Sequence, residues 1–368
     1  MEHKINELIE ISRFYGNDKE YVIAGGGNTS FKNDEKLWVK ASGVALSTIN
    51  KDGFVEMSRE KLQDISKREY SKDSAQREVE VKEDMMKSIV VNNGLRPSVE
   101  TSLHEIIKFP FVIHTHPTLV NALTCSKNAK EKSFELLGND ILFVPYIDPG
   151  YVLFKYISDA LKVYREEKSK EPQIIVLENH GIFVSADSAE EVKAIYTDIE
   201  YKIKAAANKE LPSMQIKSFF FAYTEKVQEL YSPDLEIATI SNELIAQFVK
   251  DIESFSKIQT AFTPDHIVYC KARYIFLDNG DDLQFKVKAF SNKYGYMPKI
   301  IGIKGKGLII IDDSTSAVNT IVELIQNMMK ISFYAEAFGG SKPMTDIQIA
   351  FIENWEAENY RKKMSAGK

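Results

Sequence analysis

Over roughly the first 210 residues, short apolar runs alternate with stretches of helical periodicity, and this alternation constrains the fold more than any other feature. Ile5, Leu8, Ile9, Ile11 and Tyr15 recur at near-helical spacing, so the chain opens on an amphipathic helix. Residues 21–23 and 37–40 read as strands, and so do 111–116, 141–144 and 174–177. Residues 72–92, 98–108 and 189–207 read as helices, and Pro110 prevents the middle one from running on far. Strands that alternate with helices predict an α/β layer domain. From Pro212 the pattern changes to Phe219-Phe220-Phe221 and a helical run over 235–255. A second αβ stretch follows, with strands near 266–277 and 300–311 and helices near 314–338 and 345–362. The division predicted is a first domain over 1–213 and a smaller α/β extension over 214–368, the latter with a structural or assembly role.

The two parts share a signature. Residues 172–192 and 298–318 align without gaps, each position 126 residues from its counterpart. Identical pairs include Pro172/Pro298, Ile174/Ile300, Gly181/Gly307, Asp187/Asp313, Ser188/Ser314 and Val192/Val318. Both segments read as strand, glycine turn, strand, helix. Lys306 stands where His180 stands in the first copy, and an ammonium cannot ligate a metal. The repeat predicts a second, degenerate, metal-free αβ unit.

Composition removes several function classes. Lys and Arg total 47 against 53 Asp and Glu, for a net charge of −6, and no basic run stands out, so no nucleic-acid partner is expected. No run of about 18 apolar residues is long enough to span a bilayer, and Met1-Glu2-His3-Lys4 does not open an apolar leader. The expectation is a soluble cytoplasmic protein without a membrane partner. Cys125 and Cys270 are too few and too far apart in sequence for a disulfide framework.

Three of the six histidines sit in unusual places. His114 and His116 are two apart on a strand, so both side chains point to one face, about 6.6 Å apart along it. His180 follows Glu178-Asn179 where a buried strand meets Gly181. Glu100 lies on the helix before the first pair, with His104 one turn later on the same face, a further ligand candidate or, in preference, a partner for its carboxylate. Three imidazoles with a carboxylate or water describe a catalytic Zn²⁺ site. Taken singly, a His-x-His pair is equally a polar pair at a strand end, and His180 a turn residue. Gly25-Gly26-Gly27-Asn28-Thr29-Ser30 is either a tight turn or an anion cradle of amides and hydroxyls. It is neither a dinucleotide fingerprint nor a P-loop. Ser42-Gly43 and Pro97-Ser98 add small donors.

In order, Gly27-Asn28-Thr29-Ser30, Ser42-Gly43, Ser98-Val99-Glu100, His114-Thr115-His116 and Asn179-His180-Gly181 resemble the class II aldolase/adducin family over residues 1–210. Trp38-Val39-Lys40-Ala41-Ser42-Gly43, Arg96-Pro97-Ser98-Val99-Glu100-Thr101, Thr263-Pro264-Asp265-His266 and Ile352-Glu353-Asn354-Trp355 are similar to the aldolase part of rhamnulose-1-phosphate aldolase/short-chain dehydrogenase fusions, here without the dehydrogenase. The resemblance implies a layered αβα zinc domain, followed by the smaller extension as a degenerate half-repeat. It makes His114, His116 and His180 the ligands of one Zn²⁺ per subunit. Glu100 becomes the catalytic carboxylate and an occasional further ligand. Asn28, Thr29, Ser30, Ser42, Gly43 and Ser98 become the phosphate-binding positions. Val99 departs from the pattern, since many single-domain members carry a second serine there. The implied activity is cleavage of a ketose 1-phosphate, rhamnulose or fuculose 1-phosphate, to dihydroxyacetone phosphate and lactaldehyde, in a homo-oligomer that the family suggests is a tetramer. Sugar-phosphate epimerases and a methylthioribulose-phosphate dehydratase share the scaffold. A non-catalytic adducin-like scaffold would have lost ligands, whereas all four metal-site residues are present.

Overall fold

The computed structural model describes residues 2–218 and 222–355. The phenylalanine run 219–221 and the end of the helix expected over 345–362 lie outside the described residues. The chain divides into two compact units. Among the described residues one holds 2–124, 128–206 and Trp355, and the other holds 125–127, 207–218 and 222–354.

The first unit is built from helices α1 (Glu2–Gly16), α2 (Arg59–Lys67), α3 (Ser74–Lys87), α4 (Thr101–Ile106), α5 (Thr118–Thr124), α6 (Ala129–Leu137), α7 (Tyr151–Lys168) and α8 (Ala189–Ala207). Its seven strands are β1 (Asn28–Lys32), β2 (Lys36–Lys40), β3 (Phe54–Ser58), β4 (Phe111–Thr115), β5 (Leu142–Val144), β6 (Ile174–Leu177) and β7 (Gly181–Ala186). They form one sheet in the order β3-β2-β1-β4-β7-β6-β5. Every neighbouring pair is antiparallel except β5 with β6, which the crossover helix α7 makes parallel.

Alternation along the strands divides the two faces. On one face Val112, Ile175, Leu177 and Phe183 pack under Leu103 and Ile107 of the α4 segment and Leu153, Phe154, Ile157 and Leu161 of α7. Leu37, Val39, Val55 and Met57 continue that face under Leu62, Ile65, Val81 and Met85 of α2 and α3. On the other face Tyr15 of α1 and Tyr196 of α8 meet with ring centroids 4.7 Å apart, and both side chains are fully buried. Burial pushes the hydroxyl pKa values of both rings upward, so they act as neutral donors.

Three local readings need correction. Residues 21–23 are not a strand: Tyr21 N and Val22 N both donate to Asp18 O in a turn, and Tyr21 O accepts from His116 N. Residues 266–270 are helical rather than extended, because Thr263 N-caps a helix that starts on Pro264. Residues 236–241 form a strand inside what reads as a helical run.

The second unit contains α9 (Ala222–Leu230), α10 (Glu243–Phe248), α11 (Ile252–Ser256), α12 (Pro264–Cys270), α13 (Leu283–Tyr294), α14 (Thr315–Ala335) and α15 (Asp346–Asn354). Strands β8 (Lys217–Ser218), β9 (Glu236–Ser241), β10 (Ile275–Leu277), β11 (Ile300–Ile303) and β12 (Gly307–Asp312) form a sheet in the order β10-β11-β12-β9-β8. Its core joins Val227, Ile275, Leu277, Leu283, Val287, Phe290, Ile301, Ile303, Ile309 and Ile311. Among the described residues no helix is long and apolar enough to cross a membrane.

Lys32 is an uncommon element of the first core. Its ammonium is buried and donates to His104 O at 2.6 Å, while Arg59 is forked to the nearby Glu105 at 2.9 and 3.0 Å. Desolvation pushes the Lys32 pKa down to about 7, against a smaller opposing pull from Glu105. The unfolded chain keeps that proton up to its ordinary pKa of 10.5, whereas the folded chain releases it above about 7. Stability from this residue therefore rises with pH across that window. The thermal midpoint of the parent should gain on that of Lys32→Met between pH 7 and pH 9. A difference that stays flat over this range would show that the buried ammonium keeps its proton.

Candidate metal centre

β4 alternates its side chains, and its register with its neighbours decides what lies beside His114. Asn28 of β1 pairs with His114 on one side, and Phe183 of β7 pairs with it on the other. The Phe183 and His114 rings stack at 4.2 Å with an interplanar angle of 19°. His114 Nδ1 lies 2.9 Å from the carbonyl oxygen of Ile182. A carbonyl only accepts, so Nδ1 carries the hydrogen and donates it, leaving Nε2 as the lone-pair donor on the far side of the ring.

The β6–β7 turn supplies the third imidazole. Asn179 adopts φ 53°, a left-handed conformation that asparagine tolerates, and His180 N closes the turn onto Leu177 O at 3.3 Å. Gly181 is required by close approach: a Cβ there would lie 2.5 Å from Thr115 O and 2.7 Å from His116 Cδ2. With only hydrogen at this position, the turn presses His180 against the strand that carries the other two histidines.

The three imidazoles converge. The ligand atoms of His114, His116 and His180 lie within 4.8 Å of one another, and among the described residues they are the one His, Cys, Asp or Glu group with this property. His114 Nε2 is 3.1 Å from His116 Nε2 and 3.3 Å from Glu100 Oε1, and His180 Nε2 is 3.9 Å from the same carboxylate oxygen. Two ligands on one tetrahedral ion with bonds of 2.0–2.1 Å would stand about 3.3 Å apart, so this donor set fits a single zinc-sized ion. His114 is buried, whereas His116, His180 and Glu100 are half-buried and leave one side accessible. Glu100 occupies the N-cap position of α4, and its amide donates to Ser98 Oγ at 3.2 Å.

The candidate phosphate residues separate into two groups. Asn28 is 1% exposed, and its amide nitrogen and oxygen have no hydrogen-bond partner, although it stands next to His114 on the sheet. An orphaned buried amide costs about 1–3 kcal/mol, which a polar ligand would relieve. Ser42 and Gly43 follow β2, and Ser42 N donates to Arg96 O, which ties that turn to the segment carrying Ser98. The hydroxyls of Thr29 and Ser30 have partners within the protein. The Thr29 hydroxyl bonds Ser12 Oγ at 2.8 Å on the opposite face. The Ser30 hydroxyl is taken by His104 Nδ1 at 2.7 Å, and both residues are fully buried. His104 therefore partners Ser30, and desolvation holds its pKa well below the usual value, which keeps the imidazole neutral.

The supporting residues were not legible in the sequence. Tyr196 OH meets Thr115 Oγ1 at 2.7 Å and Ile113 O at 3.3 Å, and so anchors β4 from behind. Glu178 Oε2 accepts from Tyr146 N at 3.0 Å, which ties the loop after β5 to the turn that carries His180.

Residues 6–207 match the family described as Class II Aldolase and Adducin N-terminal domain. A protein of Bacillus subtilis named as the uncharacterized oxidoreductase YuxG is 22% identical over 408 residues, and the match covers 97% of this chain and 58% of that protein. This chain therefore spans little more than half the length of that relative. An L-fuculose phosphate aldolase of Methanocaldococcus jannaschii is 26% identical over 171 residues, covering 45% of this chain and 75% of the aldolase. A methylthioribulose-1-phosphate dehydratase of Leptospira interrogans is 25% identical over 203 residues, covering 49% of this chain and 73% of the dehydratase.

Replacing His114 removes the donor that is nearest both to His116 and to Glu100. His114→Ala should abolish tight divalent-metal binding, read by elemental analysis after desalting. His266→Ala should leave it unchanged, because His266 is bonded to Thr263 and Asn327 in the other unit. Full metal retention by His114→Ala would remove this residue from the centre.

Proposed function

Because the chain belongs to the class II aldolase and adducin family, we propose that it is a zinc-dependent lyase that cleaves a ketose 1-phosphate, rhamnulose or fuculose 1-phosphate, to dihydroxyacetone phosphate and lactaldehyde. The observation that carries the reading is the convergence of three imidazoles and the Glu100 carboxylate beside the orphaned amide of Asn28. His114, His116 and His180 would hold the ion, which supplies a Lewis acid for the negative charge that develops beside a carbonyl when a carbon–carbon bond breaks.

The remaining work falls to the chain itself. As the bond breaks, the hydroxyl on the carbon that becomes the aldehyde must lose its proton and the carbon next to the carbonyl must gain one. Glu100 Oε1 would take the first as a general base and deliver it to that carbon as a general acid. Its main-chain bond to Ser98 Oγ steadies the carboxylate from the helix end. Asn28 Nδ2, the Ser42 and Ser98 hydroxyls and the Gly43 amide would bind the phosphate. That contact lies away from the reacting atoms and orients them, which lets an acidic protein use an anionic substrate. The Ile182 carbonyl holds His114 in the tautomer that the site requires.

The similarity to a methylthioribulose-1-phosphate dehydratase supports a second reading, dehydration on the same scaffold. A panel of ketose 1-phosphates and methylthioribulose 1-phosphate separates the two. Appearance of dihydroxyacetone phosphate identifies the aldolase, and loss of water from methylthioribulose 1-phosphate without it identifies the dehydratase.

Glu100→Gln should retain substrate binding and lose turnover by roughly 10²- to 10⁴-fold, because an amide cannot take the proton. Asn28→Ala should raise KM for phosphorylated substrates by roughly 10- to 100-fold, the worth of one hydrogen bond to a charged group. Equal activity on a free sugar and its phosphate would remove the phosphate role from Asn28.

A further inference from the structure

The second sheet repeats five of the seven strands of the first. Strands β10-β11-β12-β9-β8 stand in the order of β5-β6-β7-β4-β1, with the same directions: one parallel edge pair, then antiparallel neighbours. The registers coincide. Ile174 pairs with Val184 and Leu177 with Gly181, while 126 residues later Ile300 pairs with Ile310 and Ile303 with Gly307. In the first sheet Phe111 pairs with Ala186 and Thr115 with Ile182. In the second, Glu236 pairs with Asp312 and Ile240 with Leu308, so β9 corresponds to β4 at a spacing of 125.

The connections repeat as well. Ser188 Oγ accepts from Glu191 N, and Ser314 Oγ accepts from Ala317 N, both at 3.2 Å. Asn179 N donates to Thr124 O, and Gly305 N donates to Val249 O. Leu103, Ile106 and Ile107 cover the first core as Val227, Leu230 and Tyr231 cover the second. The glycine turns also make the same close approach. A Cβ on Gly307 would lie 2.3 Å from Ile240 O and 3.1 Å from Ser241 Cβ, as one on Gly181 would meet Thr115 O and His116. This correspondence extends well beyond the 21-residue repeat visible in the sequence. Among the described residues α1, β2, β3, α2 and α3 have no counterpart in the second unit, and α12 and α15 have none in the first.

The correspondence assigns an identity to each metal-site position. Thr239 stands at the place of His114, Ser241 at that of His116, Lys306 at that of His180, and Thr224 at that of Glu100. We infer that the second unit is a full second copy of the metal-binding core in which the four liganding positions carry hydroxyls and an ammonium, so the chain has the geometry of the centre twice and its ligands once. The copy stands on the registers and connections alone, whereas the expected ion count rests on the metal reading of the first unit.

Restoring the imidazoles tests this. Wild-type protein loaded with excess Co²⁺ and desalted should hold one ion per chain, and His114→Ala should hold none. In the His114→Ala background, adding Thr239→His, Ser241→His and Lys306→His should return the count to one, with the visible absorption of cobalt bound by imidazole. Thr239 is half-buried and Lys306 exposed, whereas Ser241 is 8% exposed, so the exchange there is the one that requires its neighbours to shift. A variant that melts like its parent and binds no cobalt would overturn the correspondence, as would a wild-type chain that holds two ions. If the triple variant does not fold, Ser241→His with Lys306→His alone should create a two-imidazole nickel site, and no gain of nickel in that soluble variant would also overturn it. An empty wild-type first site would instead defeat the metal reading and leave the copy to be judged by the restored histidines.

Discussion

The close contact of β7 with β4 governs the rest of the site. Gly181 lets the turn after β6 approach the Thr115 carbonyl to a distance that any side chain would forbid. Through that approach His180, which is distant in sequence, reaches the strand that carries His114 and His116. The β4–β7 register then sets Phe183 under the His114 ring and the Ile182 carbonyl against its Nδ1. A slip of one residue would exchange the faces of β4 and scatter all three imidazoles.

The same face of β1 carries Asn28, Ser30 and Lys32, three polar residues where a stability-driven sequence would place apolar ones. Ser30 and Lys32 are answered by His104, through its ring and its carbonyl. Asn28 is left unanswered. Such local violations of core chemistry concentrate at functional sites. Here the violation is graded: the groups next to α4 are satisfied within the protein, and the one next to His114 is not.

Much of this was legible in the sequence and some was not, for physical reasons. The period of two on a strand announced the His114/His116 pair, and a glycine after Asn179-His180 announced the turn. The partners of Thr29 and Ser30 cannot be read from the sequence because they depend on which residues cover β1. Ser12 of α1 lies on one side and His104 on the other, and neither is marked by its own neighbours. Residues 266–270 read as extended because Ile267 and Val268 favour strands, yet Thr263-Pro264 is a helix start and prevails. The assignment of residues 125–127 to the second unit left no local signal, since it follows from long-range bonds such as Lys342 N to Cys125 O. The repeat was visible only where strand, turn and helix kept their residues, whereas the registers preserve it across the whole sheet.

The distance in sequence between β4 and β7 carries a consequence for the order of folding. β6 and β7 form a hairpin across a three-residue turn, and such local contacts close on the microsecond scale. β4 joins β7 only after the intervening chain, with α5, α6, β5 and α7, has been gathered, and non-local pairings of this kind are the slow ones. On this ordering the hairpin and its turn close first, and the step that completes the sheet also completes the cluster of imidazoles. The second unit has the same ladder of separations, so each half of the chain carries its own slow closure, and a nascent polypeptide meets the first one before the second has been synthesised.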